Sequence, residues 1–172
     1  MGQQQLLLVI LVTIIVGIAT VVAINTFGTA ADQANIDAVT NDVATLASAA
    51  QGYFMRPGML GGGGRTFDGS NADNDGLTFN GLAFPATAFS ADDLRARNEN
   101  GIYDINVTAP DLFTITAWPA SCTDFDPGTV ATSTDPEPGT LTGGGGCAES
   151  ERITAEVRPN SFAIVATPAD PA

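Results

Sequence analysis

Cys122 and Cys147 are the only two cysteines, and they bracket TDFDPGTVATSTDPEPGTLTGGGG, a stretch with no apolar periodicity to hold it in place. A disulfide between them would tie its ends, worth about 3–4 kcal/mol on the loop-entropy model, and an oxidising compartment outside the cytoplasm favours it. Two free buried thiols are the alternative. Two thiols without a histidine do not make a metal centre. The chain has no histidine at all, so the commonest general base is missing. No serine sits in a nucleophile elbow. The adjacent carboxylates Asp92 and Asp93 read as the solvated start of a short helix near Ala91 to Arg97, capped by Ser90, rather than as an acid–base pair. GGGG at 61–64 and at 143–146 lacks the Lys-Ser/Thr that completes a phosphate loop, so both runs are expected to be flexible loops. Asn71, Asp73 and Asp75 with Gly76 match the opening of a calcium loop, but the closing carboxylate position holds Leu82. A polar turn is the preferred reading, with calcium a weak candidate. No catalytic residue and no cofactor are expected. Asn106-Val107-Thr108 is a glycosylation sequon inside a predicted strand, and Ser121 to Thr142 has a composition better suited to O-linked sugar.

Charge narrows the partners. Six arginines, no lysine and nineteen acids give a net charge of −13. Such a chain repels phosphate, which argues against nucleic acid. It suits a surface that stays hydrated in high salt. Arginine in place of lysine is equally what a GC-rich genome encodes.

The elements that must position everything else begin with MGQQQLLLVILVTIIVGIATVVAINTF, which carries no ionisable side chain; the first is Asp32. About 20 apolar residues in a helix span about 30 Å, the thickness of a bilayer core. A secretory signal would need a basic n-region, and no Lys or Arg precedes Arg56; Gly28-Thr29-Ala30 is the one feature resembling a cleavage site. A simple anchor would have flanking cations and aromatic belts, and only Phe27 qualifies. Beyond it, Ile36, Val39, Val43, Leu46, Ala50 and Tyr53 recur at helical spacing, with Asp32, Asp37, Asn41 and Asp42 mainly off that stripe. Arg56-Pro57-Gly58 stops the pattern. One helix from about Gln3 to about Met55 is the economical reading; a break at Asn25-Thr26-Phe27-Gly28 is the alternative.

GIYDINVTA and LFTITAWPA alternate apolar and polar residues around a Pro110-Asp111 turn, and Arg152–Val157 and Phe162–Thr167 form a second such pair around Pro159-Asn160. Four strands predict an antiparallel sheet laid on the amphipathic half-helix. The candidates to face it are Ile102, Ile105, Val107, Phe113, Ile115, Trp118, Ile153, Val157, Phe162 and Ile164. Residues 58–100 are Gly-rich and are expected to wander over the surface. The fold class is therefore α+β: an apolar half-helix 1–28, then a head 29–172 comprising an amphipathic half-helix 29–56, a loop 57–100, and a small antiparallel sheet 101–167 with the 122–147 loop.

In that plan the chain resembles the type IV pilin superfamily, carried in sequence by Met1 to Met55. GQQQLLL, the apolar run, and NDVATLASAAQGYF followed by LGGGG are similar to a pilin-like bacterial group. The resemblance implies a membrane-inserted precursor, a leader that is removed, and a helical homopolymer whose apolar half-helices bundle in an extracellular surface filament. Its partners would be its own copies, the inner membrane before assembly, and a separate ATP-driven assembly machinery. With Met1 as the mature start, the fifth position, usually Glu, is Gln5. Gln3, Gln4 and Gln5 would then hydrogen-bond between subunits, including to a neighbour's N-terminal amine at Met1. Leu8, Ile15 and Gly17 would pack in the bundle. The family's mid-helix proline is absent; Gly17 or Gly28 supplies flexibility instead. A membrane-tethered binding module that does not polymerise, or a pseudopilin of a secretion system, is the competing expectation.

Overall fold

The computed structural model describes residues 2–69, 76–131 and 139–166. Its first element is one uninterrupted helix, α1 (Gly2–Met55). The sequence makes this possible because no proline intervenes, and Gly17 and Gly28 lower helix propensity without forbidding continuation. Two compact units divide the chain, residues 1–34 and the head from Asn35 onward.

Within the head, α1 buries Val39, Val43, Leu46, Ala47, Ala50, Tyr53 and Phe54, the predicted stripe widened by its i+4 neighbours. Against this stripe lies one face of an eight-stranded sheet with spatial order β5-β6-β1-β2-β3-β4-β7-β8. The strands are β1 (Ala88–Phe89), β2 (Arg95–Arg97), β3 (Gly101–Ala109), β4 (Leu112–Pro119), β5 (Thr129–Ala131), β6 (Gly139–Thr142), β7 (Ile153–Arg158) and β8 (Ser161–Ala166). All neighbours are antiparallel except β1 and β6. The four long strands coincide with the four read from alternation. Tyr103, Ile105, Phe113, Ile115, Ala117, Ile153, Ala155 and Val157 supply the sheet side of the core, with Val107 and Ile164 partly buried against it.

Several expectations are corrected. The described residues of 57–100 do not wander over the surface. They send Phe67, Leu77, Phe79, Leu82 and Phe84 into the core, where Phe67 lies 4.9 Å from both Phe54 and Phe113 and Phe84 lies 5.1 Å from Tyr103 between ring centroids. The same stretch forms a short helix, α2 (Phe79–Leu82), capped by the Thr78 hydroxyl, and strands β1 and β2. The helix expected over Ala91 to Arg97 is absent. Ser90 Oγ accepts from Arg95 N (2.9 Å), Asp92 Oδ1 accepts from Leu94 N, and Asp93 takes φ 54°, so side-chain bonds close a turn that delivers β2. The 122–147 loop is also not formless: β5 and β6 form a hairpin inside it, and β6 joins the sheet beside β1.

Ile102 and Trp118 are cross-strand partners on the outer face, not the helix face. They are covered by Gly143–Gly146, four successive residues with φ from 74° to 112°. A Cβ on Gly144 would come within 2.5 Å of Ile102, and one on Gly145 within 3.2 Å of the Trp118 ring. This glycine run is a fitted lid over two large side chains. Phe162 is on edge strand β8 and remains 36% exposed.

Candidate functional site

The most unusual surface is the apolar half of α1. From Leu6 to Ile24 every Leu, Ile and Val is between 47% and 67% exposed. An 18-residue window has mean hydropathy 3.2 and no part of it is buried, so the helix is long and apolar enough to cross a membrane. The hydroxyls in this half are satisfied by the helix itself. Thr13 donates to Ile10 O (2.8 Å), Thr20 to Val16 O (2.8 Å) and Thr26 to Val22 O (2.9 Å). Such bonds remove the desolvation cost of a hydroxyl in an apolar surrounding, so these threonines are compatible with lipid or with other helices.

Gln3, Gln4, Gln5, Leu8, Ile15 and Gly17 all lie on this exposed segment; Met1 is outside the described residues. At about 100° per residue, Gln4, Leu8 and Ile15 share one face, while Gly17 points roughly to the opposite side. The predicted assembly residues are therefore distributed around the helix. A Cβ on Gly2, Gly17 or Gly28 would meet nothing within 4 Å.

The other half of α1 is fixed by two devices that sequence reading does not anticipate. The first is Asp42. Its Oδ2 accepts from Tyr103 Oη (2.7 Å), Asn98 Nδ2 (2.9 Å) and Asn100 Nδ2 (2.9 Å). The Asn98–Gly101 turn presents these donors because Asn98 Oδ1 accepts from the backbone N–H of Asn100 and Gly101. Burial pushes the Tyr103 phenol well above its ordinary value, and the Asp42 carboxylate adds to the shift, so Tyr103 stays a donor. Asn35 extends the polar seam, donating to Asn100 O (3.0 Å) and accepting from Ser121 N (3.1 Å). An acid beside the apolar stripe and an Asn-Glu-Asn-Gly turn were the available signals.

The second device is the first glycine run. The last carbonyls of α1 lack i+4 donors. Gly63 N reaches Tyr53 O (2.8 Å), Arg65 N reaches Phe54 O (3.0 Å) and Gly64 N reaches Arg56 O (2.9 Å). That approach excludes side chains: a Cβ on Gly63 would fall 2.0 Å from Thr66 O, and one on Gly62 2.3 Å from Arg56. The LGGGG segment is thus a helix C-cap rather than a flexible loop.

Cys122 and Cys147 form a disulfide with Cα atoms 5.9 Å apart, closing the segment that carries the β5–β6 hairpin. On the outer sheet face, Arg95 pairs with Asp104 (2.7 Å), stacks 5.4 Å from the Trp118 ring centroid, and donates to Gly143 O and Gly144 O. Arg95 thereby pins the glycine lid. An open depression of about 480 Å³ beside it is lined by Asp92, Leu94, Arg95, Asp104, Asn106 and Thr116, among others. The Ser90 hydroxyl holds the Asp92 carboxyl below its ordinary value. Among the described residues no group of three or more His, Cys, Asp or Glu is placed to hold a metal. The weak calcium candidate Asn71, Asp73 and Asp75 lies outside the described residues. No family model, curated protein or solved structure matches the chain.

Proposed function

We propose that this chain is a structural subunit of the type IV pilin kind, which polymerises through the apolar half of α1 into an extracellular surface filament. The observation that carries the proposal is the all-round exposure of Leu6 to Ile24 on the same helix whose later turns form the spine of the head. Apolar area of this extent is not left in water; each fully covered Leu, Ile or Val is worth about 1.5–3 kcal/mol. In the precursor, lipid covers it. In the filament, the half-helices of other copies cover it. Lipid and bundle are similarly apolar, so close packing must favour the bundle. Open surface at Gly17 and self-satisfied threonines permit that packing. Gln3, Gln4 and Gln5 supply amides at the tip for contacts between subunits, and a separate ATP-driven machinery performs assembly.

The second reading, a membrane-tethered module that does not polymerise or a pseudopilin, is favoured by the same segment's bilayer-spanning length. Negative-stain microscopy of sheared surface material, with the subunit identified by mass spectrometry, separates the two. Long filaments containing this chain are expected. Recovery only as detergent-soluble monomer in the membrane fraction overturns the filament.

A further inference from the structure

The head has two chemically opposite ends, and we propose that they dock head-to-tail, the Met55–Arg65 end of one copy against the Glu99–Asp124 end of the next. The inference rests on the filament reading, to which it adds a second interface.

Between Val43 and Phe67 the chain has no acid, although it carries nineteen in all. The part of this stretch from Met55 onward forms the end of the head where α1 stops. Met55, Met59 and Leu60 project there at 76%, 90% and 70% exposure. Arg56 and Arg65 flank them, and the backbone of Arg65 is held against Phe54 O. The ion pairs among the described residues, Arg95–Asp104 and Arg152–Glu149, involve neither arginine. The result is an apolar knob with two cations on a strongly anionic molecule. Arg158, whose carbonyl accepts from Gln51, lies at the same end. Asp68 and Asp111 approach it through the Phe67 N to Pro110 O contact, at the side of the knob.

At the other end, Asn35 ties together Asn100 and Ser121, which places Glu99 beside the Cys122–Asp126 turn. Glu99, Asp124 and Asp126 are exposed, Glu151 accepts from Thr123, and Glu149 is paired with Arg152; Arg97, which donates to Pro127 O, and Arg152 are the cations there, so acids outnumber cations at this end. Asn35 and Met55 are twenty residues apart on α1, which sets the two ends about 30 Å from each other. An isolated anionic end would be a hydration surface. Opposite a cationic, apolar end on an identical copy, it is a complementary one.

Geometry strengthens the choice of a second copy as the occupant. Two different patches on one subunit make a heterologous contact, and when the rotation does not close, such contacts generate open filaments. The pairing also opposes the wrong alignment, because two anionic ends repel.

The test uses the full-length chain and measures filament mass by shearing and sedimentation. Arg56→Glu with Arg65→Glu is expected to lower filament mass at least tenfold, and Glu99→Arg with Asp124→Arg to do the same. Mixing the two double variants in one cell is expected to recover alternating contacts and raise filament mass at least fivefold over either alone. A folding defect does not produce such recovery; protease resistance of each head checks folding directly. Wild-type filaments together with undiminished filaments from both double variants overturn the end-to-end contact while leaving the polymer intact. No filaments from the wild type overturn the polymer and the contact with it. Normal assembly of the Arg56→Glu, Arg65→Glu variant with loss of binding to anionic phosphatidylglycerol vesicles assigns the knob to a membrane surface instead, and overturns the proposal.

Discussion

The two halves of α1 have the same backbone and opposite fates. In the half from Asn35, Val39, Val43 and Ala50 are wholly buried, Asp42 accepts three hydrogen bonds, and the terminal carbonyls are capped by residues 63–65. In the half before it, no side chain from Leu6 to Ile24 is buried, and the threonines bond only to their own helix. One half is completed within the chain; the other awaits a surrounding. On the filament proposal, folding and assembly fall to different turns of one helix, and a substitution should damage one without the other.

The sharpest way to break that comparison is to place the same charge in each half. Val43→Asp puts an unpaired carboxylate into the apolar core, where Val43 is wholly buried, and should unfold the head, a loss of more than about 4 kcal/mol. Ile15→Asp should leave the head's melting temperature unchanged and reduce filaments below detection. Thermal denaturation and filament yield, measured on both variants, check the crossing. If Ile15→Asp also unfolds the head, the halves are not independent.

Next in size is the disulfide. Cys122→Ser should lower stability by about 3–4 kcal/mol, following the loop-entropy estimate, and make the 122–147 segment the first site of proteolysis. Because β6 is anchored beside β1, cleavage should fall outside 139–142. Limited proteolysis with mass spectrometry reads both. Smaller still is the C-cap. Gly63→Ala should cost about 1–3 kcal/mol, as overpacking does, read as a fall in melting temperature with filament architecture retained. Gly17→Ala, in open surface, should leave head stability unmoved.

The smallest effect concerns pH. The folded head holds the Tyr103 proton more tightly than the unfolded chain does. Its contribution is fully present below about pH 10, the ordinary tyrosine value, and is lost as pH rises beyond it. Tyr103→Phe should cost about 1 kcal/mol at neutral pH and flatten the alkaline limb of the stability profile. Urea denaturation from pH 7 to 11 measures it; an alkaline slope unchanged by the substitution would contradict Tyr103 as the buried phenol that resists ionisation.

What was legible in the sequence follows from how locally each element is specified. α1 carries its own periodicity, and β3, β4, β7 and β8 are long enough to alternate around their own turns. β1, β2, β5 and β6 have two to four residues each and exist because neighbours template them, so no period announces them. The outward direction of Ile102 and Trp118 was hidden because both faces of β3 are covered, one by α1 and one by the glycine lid. The two glycine runs looked alike as sequence yet do different things, one capping a helix at 63–65 and the other roofing a tryptophan at 143–146. Their roles depend on what comes close to them, which composition does not record. The apolar run was plain from composition, whereas the Asp42 seam, which fixes the other half of α1 to the head, required the fold.

In the proposed filament, copies of the same segment surround Leu6 to Ile24. Leu8 and Ile10 point to nearly opposite sides of the helix, and the native cysteines are paired with each other. A Leu8→Cys, Ile10→Cys double variant, cross-linked through its two added thiols in sheared surface material, tests the claim directly. A ladder of covalent multimers extending well beyond the dimer is expected. Monomer alone, recovered with the membranes, would contradict it.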